Sequence, residues 1–264
     1  MMNLKNKKVW ITGASSGIGE ALAYEMAKAG AKVILSARTE KDLERVRTAC
    51  HTSENHVVVP LDLEQYFQLE EKVNSVWEQH GPIDILIHCG GISQRYLVAE
   101  SRLELDKKII DINFFGAIAL TRPVLKKMLQ RNSGHIVVIS SMLGLYGMQT
   151  RSAYSASKHA LRGYFESLRN ELFKTKLGIT LVYPGYVNTH ITHNALLADG
   201  TTFGQLDTVH AHGISPEHCA QKIVQAIRQG KAVVVISGVK ERFGAFLVRF
   251  FPALFRLVSP RFKV

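Results

Sequence analysis

Short apolar runs rich in β-branched residues recur along this chain, each followed by a longer stretch of helical character. The runs are Val9–Thr12, Lys32–Ser36, His56–Pro60, Ile83–His88, His135–Ser140, Ile179–Tyr183 and Ala232–Ile236. Between them lie helical stretches such as Gly17–Ala29, Leu63–Gln79, Ser152–Lys174 and Pro216–Arg228. Apolar runs without polar alternation are buried on both faces, and a long helical return makes neighbouring strands parallel. The pattern predicts an α/β fold, a doubly wound parallel sheet of about seven strands with helices on both faces. A chain of 264 residues, 46% of them hydrophobic and 21% charged, builds such a core without disulfide or metal staples. Cys50, Cys89 and Cys219 contain no CxxC pair, which argues against a disulfide scaffold and for a reducing compartment. The N-terminus passes from polar residues straight into a strand. With no apolar h-region, no signal peptide is expected, and the location implied is cytoplasmic.

The first strand runs into Thr12-Gly13-Ala14-Ser15-Ser16-Gly17-Ile18-Gly19 and then a helix. Glycine at 13 permits the tight turn, at 17 it lets backbone N–H groups approach a pyrophosphate, and at 19 it lets the helix close on the sheet. The helix start supplies open N–H donors and a partial positive charge, so the fold expected is of Rossmann type. Ser36-Ala37-Arg38 ends the second strand, where an NAD enzyme would carry a ribose-binding carboxylate. Arg38 would instead clamp a 2′-phosphate, which selects NADP(H), unless it is only a solvated charge. Asp62 and Leu63, after the third strand, stand where they reach the adenine, though an Asp there also suits a helix N-cap.

Tyr154 and Lys158 share one helix face at i and i+4. Tyr24 and Lys28 have the same spacing, so spacing alone decides nothing. Context separates them: Ser141, at the end of a buried strand, lies thirteen residues before Tyr154, whereas Ile11 holds that place before Tyr24. A phenol of pKa about 10 needs roughly three units of lowering, about 4 kcal/mol, to exchange protons near neutrality. A nearby ammonium and a cofactor's positive ring would supply it, and Ser141 would hydrogen-bond the developing oxyanion.

The glycine loop, the Ser–Tyr–Lys set and Pro184-Gly185-Tyr186-Val187-Asn188-Thr189 together resemble the short-chain dehydrogenase/reductase family over about residues 6–236. That resemblance implies a general acid/base at Tyr154, its partner at Lys158, and a carbonyl polariser at Ser141. It implies that Asn113 holds a water linking Lys158 to solvent. It further implies that Thr189 meets the nicotinamide carboxamide, that Pro184 and Gly185 pack on the ring, that Val187 joins the cofactor site, and that the protein is a homodimer or homotetramer. In place of the family's Asn-Asn-Ala-Gly the chain has His88-Cys89-Gly90-Gly91. Gly90 still allows close approach to a ribose. His88 reads as a core histidine and Cys89 as a small buried hydrophobe.

Residues 1–238 form the expected oxidoreductase domain, with a substrate loop at about 188–215, and 239–264 form a C-terminal extension. Met142, Tyr146, Met148 and Tyr186, with Leu196 and Leu197 in the loop, suggest an apolar substrate. His190, His193, His210 and His212 also fall in the loop, and no carboxylate or cysteine completes a metal ligand set, so no metal is expected.

In the extension, Phe243, Phe246, Leu247, Phe250, Phe251, Leu254, Phe255 and Val258 form a helical stripe, with Arg242, Arg249 and Arg256 along one flank. Pro252 predicts a kink or a new helix. The last tenth of the chain carries six basic residues against Glu241 alone, nearly half of the net +11. This points to an anionic surface rather than a nucleic-acid footprint. Two readings stay open for the stripe: a helix lying in a membrane interface, as in members of the 11β-hydroxysteroid dehydrogenase type, or one packed on this chain or a partner subunit.

The function expected is NADP(H)-dependent interconversion of an apolar alcohol and its ketone or aldehyde. Two alternatives are a 3-oxoacyl-carrier-protein reductase docking through Arg122, Lys126, Lys127 and Arg131, and a non-catalytic NADP- or membrane-binding protein.

Overall fold

The structure is a computed structural model describing residues 1–205 and 213–261. Seven parallel strands form one sheet: β1 (Lys8–Thr12), β2 (Lys32–Ser36), β3 (Val57–Val58), β4 (Ile85–His88), β5 (Gly134–Ile139), β6 (Leu177–Pro184) and β7 (Val233–Ile236). Their order is β3-β2-β1-β4-β5-β6-β7, so the chain starts in the middle, winds to one edge, and crosses back at β4 to wind to the other. The helices between them are α1 (Gly17–Lys28), α2 (Glu40–Ala49), α3 (Leu69–His80), α4 (Leu103–Ile110), α5 (Gly116–Arg131), α6 (Ser152–Glu171) and α7 (Pro216–Arg228).

Alternation along the strands builds two cores. Trp10, Ile34, Leu86, Ile136, Val138 and Leu181 face one side and meet Val73, Leu120, Val124, Leu161 and Phe165 from α3, α5 and α6. Val9, Ile11, Val33, Leu35, Ile87 and Val137 face the other and meet Leu22, Met26, Leu43 and Ile223 from α1, α2 and α7. This double burial is why the strands read as unbroken apolar runs.

Boundaries differ where polar groups capture the backbone. The expected strand His56–Pro60 contracts to Val57–Val58, although Val59 N–H still donates to Leu35 O at 2.9 Å. The expected helix from Leu63 starts at Leu69, because Asp62 Oδ1 accepts the Glu64 N–H in a turn and Tyr66–Gln68 form a 3₁₀ turn. Between α4 and α5 the helix widens to a π-turn over Asp111–Phe115.

The C-terminal stripe breaks into α8 (Val239–Phe250) and α9 (Pro252–Val258), the second starting at the proline. Both readings of the stripe hold in part. Leu247 and Phe255 are buried in the first core, and the Phe255 ring meets Tyr146 edge-on at 5.6 Å. Phe243, Phe246, Phe250, Phe251 and Leu254 are exposed. Phe255→Ala is therefore expected to cost about 3 kcal/mol in urea unfolding, whereas Phe250→Ala changes stability by less than about 0.5 kcal/mol.

Candidate active site

The strand order reverses between β1 and β4, and a cleft opens beyond their carboxyl ends. Thr12 joins the two halves there. Its Oγ1 accepts the N–H groups of Cys89 at 3.2 Å and Gly90 at 3.3 Å. Gly13 sits at φ +68°, and a Cβ on it would lie 2.7 Å from the Gly90 backbone, so position 13 tolerates no side chain. A Cβ on Gly19 would run into the Gly13 carbonyl. The first turn of α1 opens into the cleft through Ser16, Gly17, Ile18 and Gly19, and the Ser16 side chain does not cap its own helix. That leaves N–H donors and a helix dipole for a pyrophosphate, and the cradle fits one.

A cavity of 1060 Å³ extends from this loop along the sheet edge. It brings together Gly13, Ser15, Ser16, Gly17, Ile18, Gly19, Arg38, Asp62, Leu63, Gly90, Ser141, Tyr154, Lys158, Pro184, Gly185, Val187 and Thr189. The expected substrate residues Met142, Tyr146, Met148 and Tyr186 line it too. Arg38 is exposed at one end and makes no ion pair among the described residues. By contrast Arg45 is committed, its two terminal nitrogens holding Glu20 at 2.7 and 3.0 Å.

At the other end, Ser141 follows β5 and accepts the Leu143 N–H at 3.1 Å, and its hydroxyl faces the same cavity as the Tyr154 phenol, which it draws down in pKa. Lys158 Nζ donates to Ile139 O at 3.0 Å and lies 5.5 Å from the centre of the Tyr154 ring. Burial decides both titrations. It pushes the Tyr154 phenol up to about 12, against the Ser141 hydroxyl and the charge of Arg151. It pulls the Lys158 ammonium down to about 8. The protein alone thus does not lower the phenol as the sequence argument expects, because desolvation of the phenolate outweighs the Ser141 hydroxyl and the charge of Arg151.

Asn113, in the π-turn, does not line the cavity. Its Nδ2 donates to Ile92 O at 2.9 Å and Ser157 Oγ at 3.0 Å, and its Oδ1 accepts the Ile92 N–H at 2.8 Å. It braces the segment after β4 against α6. His88 Nε2 bonds Thr121 Oγ1 at 2.8 Å, and burial holds the ring neutral with a pKa near 3, as a core histidine. Cys89 lines the cavity as a thiol, its pKa raised to about 12 by burial. The His190 and His193 rings stand 6.2 Å apart, and no metal-binding cluster forms among the described residues. His210 and His212 lie outside the described residues.

Sequence reasoning missed Gln94, Arg151 and Glu241. Gln94 is buried beside α6, and Arg151 and Glu241 line the cavity. Only Glu241 left a trace in the sequence, as the single acid among the basic residues of the tail. Of the proposed carrier-docking bases, Lys126 pairs with Glu70 at 3.7 Å, Arg131 pairs with Asp84 at 3.4 Å, and Lys127 lies over Trp77.

A family model described as short chain dehydrogenase matches residues 7–199. The chain belongs to the short-chain dehydrogenase/reductase family and is an oxidoreductase of the kind that uses a nicotinamide cofactor. It is 41% identical to a dehydrogenase/reductase SDR family protein 7-like of Anopheles gambiae over 96% of this chain and 82% of that one. It is 35% identical to dehydrogenase/reductase SDR family member 7B of Danio rerio, over 98% of this chain and 86% of the relative. A short-chain dehydrogenase/reductase from Burkholderia phymatum, solved in complex with NAD, superposes with a TM-score of 0.84 at 22% identity, covering 100% of this chain and 99% of that one. A Streptomyces avermitilis short-chain dehydrogenase gives 0.82 at 24%, covering 98% and 96%. At these identities the two structures bear on the fold alone.

A buried lysine at about 8 rather than 10.5 makes a stability prediction. Between those values the folded protein holds fewer protons than the unfolded chain, so stability rises with pH there, and the cost of the buried cation is complete below about 8. Lys158→Met is expected to raise unfolding free energy at pH 7 by about 1–3 kcal/mol while abolishing turnover, measured by chemical denaturation.

Proposed function

We propose that the protein is an NADP(H)-dependent oxidoreductase that interconverts an apolar secondary alcohol and its ketone or aldehyde, with Tyr154 as general acid/base. The observation that carries this reading is that Ser141, the buried Tyr154 phenol and Lys158 line one cavity, with Lys158 Nζ 5.5 Å from the centre of the Tyr154 ring. A nicotinamide cofactor held along the glycine loop and the Pro184–Thr189 segment would supply or accept the hydride. Ser141 and Tyr154 would hold the substrate oxygen between two hydroxyls, so charge developing there meets two donors. Tyr154, protonated at neutral pH, gives its proton to that oxygen, which suits carbonyl reduction. Lys158 carries the charge that stabilises the phenolate left behind. Asn113 keeps the segment after β4 in place against α6.

Arg38, exposed and without an acidic partner among the described residues, supports recognition of a 2′-phosphate. Met142, Met148, Tyr146 and Tyr186 support a lipophilic substrate. Phe246, Phe250, Phe251 and Leu254, flanked by Arg249 and Arg256, support peripheral contact with anionic lipid. None of the described helices is long and apolar enough to cross a membrane. Members of the family are commonly oligomeric. Here the groove between the π-turn and α6, lined by Phe114, Gly163 and Tyr164, supports pairing with a second copy.

The test is NADPH oxidation over carbonyls graded from small and polar to large and lipophilic. Turnover is expected to rise with apolarity and to fall about 10²- to 10⁴-fold in Tyr154→Phe. Tyr24→Phe leaves it unchanged. Equal or better turnover of small sugars would overturn the substrate class. Reductive kcat is expected to fall as pH rises through about 8, where Lys158 loses its charge. Arg38→Glu is expected to shift preference from NADPH to NADH, read as the ratio of kcat/KM values.

A further inference from the structure

Tyr154 stands in the first turn of α6, and that turn lacks a cap of its own. Arg151 occupies the N-cap position and its side chain makes no capping hydrogen bond. The opening N–H groups of a helix have no partner within it, so a buried helix start must find acceptors elsewhere. Here the acceptor comes from the loop after β4. Gln94, fully buried, accepts the Tyr154 N–H on Oε1 at 2.9 Å and donates from Nε2 to Ser152 Oγ at 3.0 Å. Its backbone carbonyl accepts an N–H from the Arg151 guanidinium at 2.5 Å.

The opposite side of the same backbone pairs with the substrate loop. Gln94 and Leu196 form a parallel bridge, in which Leu196 N–H donates to Ser93 O at 3.0 Å and Arg95 N–H donates to Leu196 O at 2.7 Å. Leu196 also pairs with Thr202, and both residues line the cavity. The strand-like segment centred on Gln94 therefore pairs with the wall of the substrate cavity through Ser93 and Arg95, while the Gln94 side chain holds the start of the catalytic helix.

We propose that Gln94 is a positioning residue for Tyr154, tying the first turn of α6 to the segment Ala195–Phe203 so that seating of that segment and alignment of the phenol are one event. This rests on the assignment of Tyr154 as acid/base. Only a primary amide of this length fills both roles, because a carboxylate lacks the donor and a methionine has no donor and only a weak sulfur acceptor. An ångström of misplacement at a reacting group costs about 100-fold in rate, so the tie bears directly on turnover.

The experiment compares Gln94→Met, Gln94→Glu and Tyr154→Phe in the full-length protein. Gln94→Met is expected to lower kcat per NADPH-binding site about 10- to 100-fold, to leave NADPH affinity unchanged, and to speed hydrogen exchange at the Tyr154 amide. Gln94→Glu keeps the acceptor, so it restores protection of that amide and part of kcat. A purely structural role would lower the thermal midpoint and the fraction of NADPH-competent protein while kcat per competent site stayed at the wild-type value, and that result overturns the proposal. Leu196→Pro removes the donor to Ser93, and its loss in kcat is expected to be non-additive with that of Gln94→Met; additive losses overturn the coupling. If Tyr154→Phe stays active, the acid/base assignment itself fails. If Tyr154→Phe is dead and Gln94→Met turns over like the wild type, only the role of Gln94 falls.

Discussion

The parting of the sheet between β1 and β4 governs the molecule. Two parallel half-sheets wound in opposite directions leave the ends of these strands uncovered by any crossover, and the backbone there must accept a ligand without side chains in the way. Thr12 holds the parting by taking the N–H groups of Cys89 and Gly90 on one hydroxyl. Gly13 then approaches Gly90 so closely that a Cβ on Gly13 would collide with the Gly90 backbone. The open first turn of α1, the position of Arg38 at the end of β2, and the emergence of Ser141 from β5 all follow from that one seam.

Burial sets the chemistry at the far end of the cavity. Tyr154 and Lys158 lie behind the protein surface, and desolvation moves both toward their neutral forms. A neutral phenol is a proton donor in waiting, and a lysine that titrates near 8 is a cation held at some cost. The site is therefore strained electrostatically rather than sterically, and its own fold does not relieve that strain. The surrounding structure makes the arrangement rigid. Asn113 bonds Ile92 and Ser157, Ser157 Oγ donates to Tyr154 O at 2.7 Å, and Gln94 holds the Tyr154 N–H, so α6 is gripped from two sides of the same loop.

The C-terminal helices show how one periodic pattern serves two environments. Leu247 and Phe255 turn inward to the core and Tyr146, while Phe246, Phe250 and Leu254 turn outward. Pro252 makes the division possible by ending one helix and starting another at a new angle. Glu241, the tail's acid, turns inward as well, where its Oε1 accepts the Tyr186 N–H at 3.4 Å. The outward side is left basic and aromatic.

The local pattern of the chain determined the sheet, its helices, the glycine loop and the Ser–Tyr–Lys set, because each depends on residues close in sequence or on side-chain periodicity. Strands buried on both faces must read as apolar runs, and a pyrophosphate loop must be glycine-rich whatever surrounds it. The tertiary structure alone decided the roles of Gln94, Arg151 and Glu241, whose partners lie tens of residues away; the neighbours of Gln94 and Arg151 carry no signal, and those of Glu241 mark it only as a lone acid. It alone decided which half of the C-terminal stripe is core. It also decided the direction of the Tyr154 shift, because a pKa depends on the balance of burial against charge in three dimensions, and spacing along a helix records only the charge.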